Sequence, residues 1–215
     1  MDFKLEVPTA LEYFASLVQS DEHFPLLEAA ASLAQDEYPE LDIQQVLDQV
    51  DQLGSRLKQR LPADAGAMQK LRLLNKFFFE EQGFSGNLNN YYDPDNSYLH
   101  VMLRTRRGIP ISLAVLWLEL ALGLGLNAQG VGFPGHFLVK VRLPYPNEGQ
   151  VVIDPFTGES LSKEELSERL VPLHAESGLL RDGHVSDELL KHYLRAATPR
   201  EIVARMLRNL EEVYT

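Results

Sequence analysis

The chain of 215 residues contains no cysteine, has few basic residues (20 against 31 acidic), and has no apolar run long enough to span a bilayer. The missing thiol excludes disulfides, thiolate metal sites and a cysteine nucleophile, and it suits a reducing compartment. A formal net charge of -11 argues against a nucleic-acid surface and against binding to anionic membranes. The one local basic cluster, Arg104, Arg106 and Arg107, reads as a solvated face ahead of a helix. Residues 111–126 form the most apolar stretch, but Ser112 and Glu119 interrupt it and it falls short of a membrane span. The N-terminal residues lack a charged segment followed by an apolar one, so no signal peptide is expected and a cytoplasmic location is. The six histidines, at 23, 100, 136, 174, 184 and 192, share no ligand spacing on a helix face. No metal site is expected, and no cofactor is called for. Internal repeats and low-complexity segments are also missing.

What is present reads first as helix. Apolar spacing predicts helices over 9–19 and 26–36, and a third from Asp42 as N-cap to about Leu61-Pro62. A fourth runs over 67–81 with Gly83 as its stop. Residues 83–100 are rich in Gly, Asn, Asp and Pro and form an ordered loop, because three tyrosines and Phe84 are costly to leave in water. Asn96 or Ser97 is then placed to cap a short helix over 98–106. Pro110 suits the first position of a helix over 110–122 that is apolar nearly all round, hence central and buried. Ser162/Glu165 and Thr198/Glu201 are capping boxes opening two later helices. The last helix gathers Ile202, Val203, Met206, Leu207, Leu210, Val213 and Tyr214 on one side.

Between these helices, residues 128–133, 137–143 and 150–154 alternate as three strands, the last two joined by a turn at 145–149 into a hairpin. A Gly-x-Gly-x-x-Gly match at Gly130, Gly132 and Gly135 is rejected as a dinucleotide fingerprint, because Pro134 and a strand follow it rather than a helix. His136 opens the second strand and Asp154 closes the third, so the hairpin can bring imidazole and carboxylate together. A carboxylate beside a histidine fixes its tautomer and stabilises the imidazolium, which is half of a nucleophilic triad. The other half belongs at a helix N-terminus, and Ser112, the third residue of the central helix, stands there.

That order, a helix N-terminus, a strand starting with His and a strand ending Asp-Pro, is that of the transglutaminase-like, papain-like core. More closely, residues 83–126, 130–141 and 153–158, with the N-terminal helices and residues 194–214, resemble the SirB family of bacterial transglutaminase-like proteins. The resemblance covers essentially the whole chain. It implies an α+β fold in which a central buried helix packs on a small antiparallel sheet, flanked by helical regions. The expected division is a helical N-terminal region over 1–62, the transglutaminase-like core over 63–185 and a C-terminal helical extension over 186–215. By the family pattern Ser112 takes the cysteine position, His136 the histidine position and Asp154 the aspartate position. Longer members continue from the last helix into helical repeats, so the apolar face of that helix is expected to pack on its own core or to self-associate.

Each site residue also has a plainer reading. Ser112 can satisfy first-turn backbone groups, His136 can bond to backbone, and Asp154 before Pro155 can set a turn. Tyr91, Tyr92, Asp93, Asn96 and His100 can wall the cleft, or form an internally bonded loop with His100 on the surface. Three functions follow. A catalytically degenerate interaction or regulatory module with a protein partner is expected first, because a serine replaces the thiol. The alternative is a serine-dependent hydrolase or acyltransferase using Ser112, His136 and Asp154. The third is a pocket that binds a ligand without covalent chemistry, which Ser112 facing away would favour.

Overall fold

Helix α6 (Pro110–Gly123) organises the fold, as its composition requires. Eleven of its residues are buried, among them Trp117, fully enclosed with its indole N–H donating to Asn75 at 3.0 Å. A helix apolar on every side can be stable only if other elements cover every side. In the computed structural model, which describes residues 8–145, 148–175, 180–181 and 184–215, they do. Helices α1 (Ala10–Leu17), α2 (Leu26–Ser32), α3 (Ile43–Lys58), α4 (Ala67–Asn75) and α5 (Leu99–Thr105) precede it. Of these, α2 to α5 all contact it.

The sheet follows α6 and is antiparallel throughout, in the order β3 (Asn127–Val131), β4 (Leu138–Leu143), β5 (Gly149–Ile153) and β6 (Ser160–Leu161). Strand β4 is the hinge of the register, with Val139 opposite Gly130 on one side and Ile153 on the other. Its residues Val139 and Val141, with Phe137 just before it, pack into the main core with Ile111, Leu113 and Trp117, while Leu138 faces a second cluster under α7 (Lys163–His174) and α8 (Asp187–Tyr193). A two-residue parallel pair, β1 (Ser85–Gly86) with β2 (Arg107–Gly108), ties the loop ahead of α5 to the segment entering α6. Strands β7 (Leu180–Arg181) and β8 (His184–Val185) pair antiparallel beyond α7.

The three predicted strands lie where alternation put them, within one to two residues at each end, and the turn joining the last two falls partly outside the described residues. Other expectations need correction. Neither Asn96 nor Ser97 caps α5: both lie in a 3-10 turn (Pro94–Ser97) capped by Asp93, and Tyr98 holds the N-cap position without a side-chain bond. The helix expected over 67–81 is α-helical only to Asn75 and then widens into a π turn (Lys76–Glu81). Phe77 and Phe78 are both buried on that turn.

The last helix, α9 (Pro199–Tyr214), settles where its apolar face goes. Ile202 and Met206 join the main core, and Leu210 packs with Ala34, Tyr98 and Val101. Of the two expectations, packing on its own core is what that face does, while Leu207 and Tyr214 stay exposed. Residues from Leu27 to Met206 share the main core, so the N-terminal helices, the sheet layer and α9 are packed around one α6.

Candidate functional site

Two turns at one end of the sheet create the site. Before β4, Gly135 takes a left-handed φ of 67° that no β-branched residue would tolerate, and this turns His136 out of the strand path. After β5, the carbonyl of Asp154 accepts from Gly158 N at 2.8 Å, its N–H donates to Glu159 at 2.9 Å, and its side chain accepts from Phe156 N at 3.0 Å. Asp154 therefore sets the turn, as its place before Pro155 suggests, and still has a lone pair for another partner. Because Val139 and Ile153 are opposite each other, the residues just beyond them meet at the same end. His136 Nε2 and Asp154 Oδ1 lie 2.7 Å apart.

The carboxylate is 2% exposed. Burial by itself would raise its pKa. The hydrogen bond and charge of His136, the Phe156 N–H and the Arg169 guanidinium, 3.3 Å from Oδ2, together outweigh burial and hold it below the ordinary value. An ionised carboxylate on Nε2 leaves Nδ1 of His136 without a hydrogen bond among the described residues, and His136 lines a cleft of about 410 Å³. That is the arrangement of an oriented general base.

The nucleophile does not meet it. Ser112 is fully buried, and its hydroxyl donates to the carbonyl of Asn96 at 2.7 Å and approaches that of Ile109 at 3.1 Å. Its oxygen also accepts from Ile109 N at 3.2 Å, a bond that returns from the third helical residue to the N-cap. The helix start presents Pro110 and Ile111 to the His136 cleft instead, and Ser112 points to the opposite side, toward Gly108 and Met102. The expected Ser112, His136 and Asp154 constellation is therefore two-thirds assembled. The reason is helical: residues two apart on a helix point about 200° apart, so a side chain at 112 cannot share the aspect of 110.

The loop residues divide similarly. Tyr91 lines the cleft, half-exposed, with its ring 5.9 Å from that of Phe156. Tyr92 contacts Tyr91 edge-on but is 80% exposed and lies outside the cleft lining. Asp93 is occupied by Asp95 N at 3.0 Å and the Asn90 amide at 2.7 Å. Asn96 is buried and staples the loop through Asn90 O at 2.6 Å, Tyr91 O at 3.2 Å and the Asn87 amide at 2.8 Å. His100 is half-buried and outside the cleft lining: it packs against Tyr38 with ring centroids 4.6 Å apart, and burial lowers its pKa, aided by Arg104. Asp93 and Asn96 thus hold Tyr91 in place rather than touching anything in the cleft.

Four cleft residues escaped the sequence reading: Arg205, Arg208, Asn209 and Glu212, all from α9. Their spacing of three, one and three is a helical stripe beside the apolar face, a signal available in the sequence but eclipsed by the apolar one. Among the described residues no three His, Asp or Glu side chains gather to hold a metal ion.

The chain matches the family model described as the transglutaminase-like superfamily over residues 44–208. It is 42% identical over 196 residues to a UPF0162 protein of Xylella fastidiosa, covering 90% of this chain and 66% of that one. It is also 32% identical over all 215 residues to a UPF0162 protein of Pseudomonas aeruginosa, of which it covers 68%. The chain thus spans about two thirds of the length of these curated relatives. A shorter stretch of 72 residues is 40% identical to human F-box only protein 21, covering 34% of this chain and 12% of that protein. No solved structure matches significantly. The family model's long match, together with relatives alike over nearly the entire chain, places this protein in the transglutaminase-like superfamily.

Proposed function

We propose that the chain is a catalytically degenerate transglutaminase-like module, of the SirB type, that acts by binding in its His136 cleft rather than by acyl transfer. One observation carries the reading: the Ser112 hydroxyl is spent on Asn96 and Ile109 backbone groups, while Pro110 and Ile111 occupy the helix start facing the histidine. No residue lining that cleft carries a thiol or an aliphatic hydroxyl. A serine hydroxyl needs a base in contact before it attacks, and Ser112 has a carbonyl in contact instead. The His136–Asp154 pair then serves as a positioned, partly exposed hydrogen-bonding group on the cleft wall. The stretch shared with a protein eight times longer than itself suits a recognition module reused in different settings.

The experiment is labelling of the folded protein with a fluorophosphonate probe, read by intact mass. The expected result is no adduct at Ser112 under conditions that saturate a serine hydrolase control. Stoichiometric labelling at Ser112, abolished in His136→Ala, would overturn the reading in favour of a hydrolase or acyltransferase.

A further inference from the structure

The protein carries a formal charge of -11, yet the His136 cleft is walled on one side by two arginines of α9. Neither forms an ion pair among the described residues, although Glu212 acts on Arg205 from within the same cleft. Arg205 is half-buried; its guanidinium donates to the carbonyl of Phe133 at 3.3 Å, lies 5.7 Å from the Phe137 ring centroid, and forms no ion pair among the described residues. Arg208, one turn further on, makes neither a hydrogen bond nor an ion pair among them. The other arginines near the same helix are paired, Arg195 with Glu201 at 3.1 Å and Arg200 with Asp21 at 2.7 Å. The cost of holding two like charges together shows in Arg205, whose pKa is lowered by burial and then by Arg208. A second hollow is lined by the same two side chains with Phe137, Ala197, Arg195 and Glu201, the last paired with Arg195. The two guanidiniums therefore line both hollows.

We propose that Arg205 and Arg208 form a carboxylate clamp, and that the cleft takes an acidic peptide segment with one carboxylate held between them and His136. This rests on the preceding reading that the cleft recognises rather than reacts. Guanidinium donors match a carboxylate in fork geometry, and two arginines that form no ion pair among the described residues, with only Glu212 beside them, leave donors for an external acid. Glu212 and Asn209 line the same cleft. A fixed carboxylate there repels a dianion such as phosphate more than a single carboxylate, and the amide beside it suits a peptide backbone. A hollow on either side of the guanidiniums leaves room for chain on both sides of a clamped carboxylate, which a small anion would not fill.

The test is a titration of the intact chain with the capped peptide Ac-Gly-Gly-Glu-Gly-Gly-NH2, followed by NMR at the arginine side-chain N–H groups and the His136 ring. Its glutamine counterpart and inorganic phosphate are run in parallel. Saturable shifts at Arg205, Arg208 and His136 with the glutamate peptide alone are expected. Arg208→Ala, an exposed position, should weaken binding about tenfold or more, and Arg205→Lys should weaken it measurably while keeping the charge. Arg104→Ala, outside the cleft, should leave it unchanged. Equal binding of the glutamine peptide, no effect of Arg208→Ala, or tighter binding of phosphate would each overturn the carboxylate assignment. Cleavage or covalent capture of either peptide would instead overturn the reading of a non-reacting cleft, so the two failures are distinguishable.

Discussion

Replacing Ser112 by alanine separates a structural serine from a reactive one. In the folded chain its hydroxyl is fully enclosed, donates at 2.7 Å to Asn96 and accepts at 3.2 Å from Ile109 N. Deleting it strips the Asn96 carbonyl of its shortest bond and leaves the Ile109 N–H with only a 3.3 Å contact to that carbonyl. A buried hydrogen bond removed in this way costs about 1–2 kcal/mol, the lower part of the range for unsatisfied groups, because that contact survives. For a chain of this size the midpoint of thermal unfolding should fall by roughly 2–8 °C. Urea unfolding should give the same free-energy loss with an unchanged slope, since the exposed surface is the same. The His136 ring resonances should not move, because the serine lies on the other side of the helix start. Unchanged stability with an altered His136 environment would refute the reasoning and place the hydroxyl in the cleft.

Two further predictions concern the turn that carries the carboxylate. Asp154→Asn keeps the shape but loses the charge facing His136 and Arg169, and should cost about 2 kcal/mol at neutral pH by chemical denaturation. Because the folded pKa of Asp154 lies below its ordinary 3.8, its contribution is complete above that value and is lost as pH falls through the lower folded one. The variant should therefore show a flatter stability profile below about pH 4. Gly158→Ala puts a Cβ 2.9 Å from Phe79 at a φ of 83°, and should destabilise by roughly 2 kcal/mol or more while shifting the Asp154 turn.

Much of this site was legible because it depends on local rules. Alternation in 137–143 and 150–154 fixed which residues face the core, and a shared strand end followed from the hairpin, so His136 and Asp154 could be paired before any coordinates. The capping boxes at Ser162 and Thr198 form as written. What failed was rotation. The helix start was rightly located, but which of Pro110, Ile111 and Ser112 faces the sheet depends on how α6 is turned, and an apolar face all round gives no clue to it. Polar chemistry drew attention to Ser112, whereas the residues that face the cleft are apolar. His100 was misplaced for a related reason: its neighbour Tyr38 lies far away in sequence. The arginines of α9 reach the cleft only through tertiary packing against α2 and the 3-10 turn, which no local pattern encodes.

The orientation of the helix start is therefore the claim on which the account turns, and a chain without cysteine makes it directly measurable. Single thiols introduced as Pro110→Cys and Ser112→Cys would be alkylated with iodoacetamide across pH 5 to 9, each with and without His136→Ala. The account predicts that the thiol at 110, in the first helical turn and beside the histidine, reacts at acidic pH and loses that reactivity with His136, while the thiol at 112 stays protected in the folded protein. A rapidly alkylated, His136-dependent thiol at 112 with an inert one at 110 would contradict it.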